Sequence, residues 1–95
     1  MFVVFLKFSD NRGRAGDLMA GHTAWLSRGF DDGAFLLSGS LKPGLGGAIL
    51  AAGGDRAALE ARLAEDPFVA DDVVTAEIHE IAPGRADPRL AALVA

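Results

Sequence analysis

Ala34-Phe35-Leu36-Leu37-Ser38-Gly39-Ser40-Leu41-Lys42-Pro43-Gly44-Leu45-Gly46-Gly47-Ala48-Ile49-Leu50-Ala51-Ala52 holds two apolar runs, Ala34–Leu37 and Gly47–Ala51, parted by Ser38 to Gly46. Proline fixes its own φ and glycine tolerates positive φ, so the segment with Gly39, Pro43, Gly44 and Gly46 reads as a reversal and the whole stretch as a β-hairpin. A helix-like segment flanks the hairpin on each side, and a strand-like segment stands at each end. The order strand, helix, strand, strand, helix, strand predicts an α+β, ferredoxin-like βαββαβ sandwich, with two helices on one face of an antiparallel sheet.

Upstream, Phe2, Val4, Leu6 and Phe8 alternate with Val3, Phe5 and Lys7, so both faces of the first strand are mainly apolar. Helices cover only one face of such a sheet. The apolar residues on the other predict a partner, and a homodimer joined sheet to sheet is the simplest one. Ser9 to Gly16 reads as a polar loop in which Arg12 and Arg14 supply solubility, with reception of an anionic ligand by these arginines as the alternative. Asp17 is the expected N-cap of a helix to about Asp31, with a stripe of Leu18, His22, Trp25, Leu26 and Gly29, and Gly33 ends it. Gly21 costs such a helix about 1 kcal/mol relative to alanine, which suggests the close approach of another element or a ligand there.

Downstream, Asp55 is placed to cap a second helix from Arg56 to about Glu65, with Leu59 and Leu63 on its apolar side. Asp66-Pro67 stops that helix, and Phe68, Val69 and Ala70 read as one further turn. Val73 to Ile81 forms the last strand, Val74, Ala76 and Ile78 facing one way and Thr75, Glu77 and His79 the other. The core of the single expected domain runs from about residue 2 to 83. In the tail, residues 84–95, Asp87-Pro88 caps a short helix that would pack through Leu90, Leu93 and Val94.

A chain of 95 residues suits one core, and its 51% apolar content suggests that some surface is hidden in an assembly. The formal charge of -4 argues against non-specific attraction to nucleic acid or anionic membrane. The first apolar run is too short to span a bilayer and has no basic segment before it, so neither a membrane span nor a secretion signal is expected. There is no cysteine, which removes disulfides, thiolate nucleophiles and thiolate-bound metal and fits a reducing cytoplasm.

Chemistry narrows to two histidines. His79 alternates with Glu77 and Thr75 on a strand and reads as a solvated or interface position. His22 lies in an apolar helix stripe, where a packed, hydrogen-bonded role competes with a catalytic one. Asp66 ends the second helix, where the carbonyl end of the dipole disfavours a carboxylate, so a hydrogen-bond donor beside it is expected. Two helices side by side on the sheet would bring His22 to Asp66, fixing the imidazole tautomer and making the other ring nitrogen a general base. A nucleophilic triad of Ser38 or Ser40 with His22 and Asp66 lacks the strand-to-helix elbow such a serine needs. No spacing of ligating residues suggests a metal site, and no signature suggests a cofactor.

From Phe2 to about Pro83 the chain resembles the YCII-related family of small ferredoxin-like proteins. The resemblance lies in His22 followed by Trp25 and Leu26, in Gly33 before Phe35-Leu36-Leu37 and Gly39, and in Asp66-Pro67-Phe68 ahead of the closing strand. Ser40 replaces the proline that many members carry after the hairpin glycine. The resemblance implies a dimeric α+β barrel type of assembly and an active-site pair of His22 and Asp66. The leading expectation is a cofactor-independent enzyme of the lyase or hydrolase type, with His22 as general acid or base and Asp66 orienting it, in an apolar pocket including Trp25, Ser38 and Phe68 and suited to a small, hydroxylated ring compound. Two other readings stand beside it: a non-catalytic dimeric interaction module, and a cofactor-free oxygenase of aromatic substrates.

Overall fold

Strand β1 (Phe2–Phe8) organises the molecule, because its alternation is felt on both faces: Phe2, Val4 and Leu6 are buried, while Val3 and Phe5 between them are half covered. The computed structural model describes residues 1–94, with side chains described through residue 92. β1 pairs antiparallel with β3 (Gly46–Ala51) on one side and β4 (Val74–Glu80) on the other, and β2 (Phe35–Leu41) pairs with β3. The resulting order β2-β3-β1-β4 is the roughly ferredoxin-like arrangement expected from the hairpin.

α1 (Ala15–Asp31), α2 (Arg56–Ala64) and α3 (Pro67–Ala70) belong to the covered side. There Trp25, Leu59, Leu63 and Phe68 join Phe2, Val4, Leu6, Phe35, Ile49 and Val74 in one core. Ser38, Ile49, Val4 and Ile78 make one row across the sheet on this side, and Ser40, Gly47, Leu6 and Ala76 make the next. The opposite rows, Leu37-Leu50-Val3-His79 and Gly39-Ala48-Phe5-Glu77, lie on the uncovered side.

One expectation fails here. β2 and β4 stand at the two ends of the strand order and do not pair, so the sheet is open and no α+β barrel is formed. Closure requires tilted strands around an interior wide enough for side chains, about eight in small barrels. This sheet has 4 strands, and its inward side chains are covered by helices instead.

Several boundaries also move. β2 continues to Leu41, so Ser38, Gly39 and Ser40 are strand residues and the reversal contracts to residues 42–45. Gly46 is obligatory at its end: its φ is +136°, and a Cβ there would stand 1.9 Å from the carbonyl oxygen of Leu6. A 3-10 turn, Arg12–Arg14, runs directly into α1, so Asp17 sits inside the first turn instead of capping it, still at the end that favours a carboxylate. Gly33 closes α1 and Asp55 caps α2, its side chain accepting from the Ala57 N–H at 2.9 Å, both as expected.

After β4, a 3-10 turn, Pro88–Leu90, is capped by Asp87 and leads into α4 (Ala91–Val94). Leu90 is exposed, and the expected packing of Leu93 and Val94 lies outside the described residues. Among the described residues no helix is long and apolar enough to cross a membrane.

Candidate functional site

The meeting of α1 and α3 makes the site, and two small sequence features permit it. Pro67 occupies the first turn of α3, where its missing N–H costs nothing, and its ring lies against α1. At the point of contact α1 presents Gly21, where a Cβ would stand 3.0 Å from Cγ of Pro67. A side chain of any bulk here would push the helices apart. The next residue along each element is therefore brought into reach: His22 after Gly21, and Asp66 before Pro67.

Asp66 is fully buried. Its Oδ1 accepts the Phe68 N–H at 3.0 Å, which makes it the N-cap of α3. The helix-end reasoning thus chose the correct residue for a reason that the structure revises. Asp66 does follow α2, but it opens α3, and its carboxylate faces the favourable end of a helix. The same Oδ1 lies 2.8 Å from Nδ1 of His22. An oxygen that accepts a backbone amide is an acceptor, so Nδ1 is the nitrogen that carries the hydrogen and donates. Oδ2 of Asp66 is buried with no partner among the described residues, so the imidazole is the main compensation for burying this carboxylate.

His22 is held from a second direction. Its ring lies parallel to that of Phe68, with centroids 4.0 Å apart and planes 5° apart, and Trp25 is beside it at 5.7 Å. Its side chain keeps 17% exposure, and Nε2 has no protein partner among the described residues. A fixed tautomer with one unengaged nitrogen at a partly open position is the arrangement of a general acid or base.

His22 opens onto a cleft of about 220 Å³ between α1, α3 and the covered side of the sheet. Leu6, Phe8, Met19, Phe68 and Val74 give it apolar walls, while Gly39, Gly46 and Gly47 expose backbone and Ser40 adds a hydroxyl. Among the expected pocket residues, Phe68 lines this cleft. Trp25 stands behind it, 1% exposed, its Nε1–H donating to the Arg62 carbonyl at 2.8 Å and tying α1 to α2. Ser38 points to the same side of the sheet but is exposed, one row away from the lining. Ser40 takes the place expected for Ser38. The turn-like composition of Ser38 to Ser40 hides the strand alternation that places Ser40 on this side. Among the described residues no group of three or more His, Cys, Asp or Glu side chains is placed to hold a metal ion.

No protein-family model matches the chain, and no curated protein is significantly similar to it.

Proposed function

We propose that this protein is an enzyme acting on a small molecule by general acid–base catalysis, with Nε2 of His22 exchanging the proton and Asp66 as the positioning residue behind it. The observation that carries this reading is the bond from Nδ1 of His22 to a fully buried carboxylate, at 2.8 Å, on the wall of an apolar cleft. A solvated histidine has no need of such an anchor. Transfer of one proton at a fixed nitrogen suits an elimination or a hydrolysis, and the resemblance in His22, Trp25 and Asp66-Pro67-Phe68 to YCII-related proteins supports the same class. The chain's lack of cysteine supports a reducing cytoplasm as its setting.

The test is turnover of a panel of activated esters and of β-halo and β-hydroxy carbonyl compounds by the wild type, His22→Gln and His79→Gln. Turnover that His79→Gln keeps and His22→Gln loses is the expected result. Rates indifferent to His22 across the panel, together with a His22 inert to diethyl pyrocarbonate, would leave the interaction module as the better reading. The uncovered side of the sheet favours that second reading, since it presents Val3, Phe5, Leu37 and Leu50 together, and a second copy of this chain is the partner it suggests.

A further inference from the structure

A cationic side chain packs on one wall residue of the cleft. Arg14 is neutralised, its Nη2 lying 3.2 Å from Oδ2 of Asp71. Arg12, two residues earlier, has no carboxylate partner among the described residues. Its guanidinium carbon stands 4.5 Å from the centroid of the Phe8 ring, and its Nη2 donates to the Gly44 carbonyl at 3.3 Å. Phe8 is a wall of the cleft, and Gly44 belongs to the turn that delivers the cleft residues Gly46 and Gly47. Arg12 therefore spans from the entry of α1 to the turn between β2 and β3, against the wall residue Phe8.

These two contacts restrain a side chain that is ordinarily mobile, and they leave most of its N–H fork without a protein acceptor. A planar fork with free donors and no counter-ion is suited to a carboxylate. On β2, Ser40 lines the cleft, and its hydroxyl has no protein hydrogen-bond partner among the described residues. The rest of the wall is apolar. A volume of about 220 Å³ falls below the roughly 300–1,000 Å³ of pockets for drug-sized ligands, so the body of the ligand is about one ring in size.

We propose that the cleft selects a small apolar acid, its carboxylate received by Arg12 and Ser40 and its body laid against Leu6, Phe8 and Phe68, where His22 can reach it. This rests on the cleft being the site of the proposed acid–base chemistry and adds the charge of the ligand. The overall charge of -4 works against anions in general, so the attraction has to be local. Arg12 is the group that makes it local.

Benzoate and its neutral analogue benzamide are suitable probes, titrated into the full chain while amide signals of Ser40, Gly46 and Gly47 and the ring signals of His22 are followed by NMR. Benzoate is expected to bind at the cleft at least about tenfold more tightly than benzamide, the size of one charge-assisted hydrogen bond. Arg12→Gln should abolish that preference without weakening benzamide, Arg12→Lys should keep part of it, and Arg14→Gln should keep all of it. Ser40→Ala should lower benzoate affinity a few-fold. Equal binding of the two probes in the cleft, or a preference that survives Arg12→Gln, overturns the selection by charge and leaves the role of His22 untouched. Failure of both probes to shift any cleft signal up to their solubility overturns the selection together with the cleft as a binding site. The turnover test on His22 stands apart from either result.

Discussion

The covered and the uncovered side of this sheet hold one histidine each, and they treat the same side chain in opposite ways. His22 is stacked face to face on Phe68 and donates to a buried carboxylate. His79 is exposed and meets Phe5 edge-on, with centroids 5.7 Å apart and planes at 62°. The concavity beside His79 is the larger, about 360 Å³ against about 220 Å³, but it is a shallow dish edged by Lys7, Leu41, Leu45 and Glu77. Neither aromatic company nor the size of a hollow separates the anchored imidazole from the unanchored one. Orientation does, and orientation here comes from a partner that has been taken out of water.

The largest effect that bears on this contrast is kinetic. Once a turned-over compound is in hand, His22→Gln should lower its rate about 10²- to 10⁴-fold, the usual range for a general acid or base, and His79→Gln should leave it within about twofold. Equal losses in the two variants would erase the distinction. Next comes stability. Asp66→Ala removes both the cap of α3 and the anchor of His22, and should cost about 2–4 kcal/mol in urea unfolding, whereas His79→Ala should cost less than about 0.5 kcal/mol.

A smaller effect is expected on the uncovered side. Leu37 is 59% exposed, so Leu37→Lys should change the unfolding free energy by less than about 0.5 kcal/mol. A loss of 2 kcal/mol or more, disappearing on dilution, would show that a second copy covers this side in solution. The smallest effect belongs to Glu77. The hydrogen bond from the Lys7 side chain, at 2.7 Å, and the charges of Lys7 and His79 hold its carboxyl below the ordinary value. The unfolded chain then binds the proton more readily than the folded one, so this contribution is present above pH 4.5 and is lost as pH falls through the depressed value. Melting temperature measured against pH should fall slightly less on the acid side in Glu77→Gln than in the wild type.

Much of this was legible in the sequence, and unevenly so. The two-residue alternation in Phe2–Phe8 and Val74–Glu80 announced strands, with apolar residues on both faces of the first, and Gly21 announced the close approach of another element or a ligand, which Pro67 supplies. His22 and Asp66 could be paired because helix order places them together. The end of β2 was not legible. Ser38, Gly39 and Ser40 have turn-like composition, and only pairing with Gly47, Ala48 and Ile49 holds them extended. Missing that extension cost the identification of Ser40 in the cleft. For Arg12 the sequence ranks loop solubility ahead of an anion-receiving role, because nothing local in it shows that Phe8 and Gly44 meet around this side chain. Closure of the sheet was suggested by resemblance alone, and the strand order decided against it.

A single oxygen, Oδ1 of Asp66, accepts both the amide that starts α3 and the ring of His22. The start of α3 and the orientation of the imidazole therefore draw on one atom, and a change at that residue disturbs both at once. With His22 replaced, an aspartate before Pro67 would still be needed to start the helix. The histidine can thus be lost without the turn, but the aspartate cannot be lost without freeing the histidine.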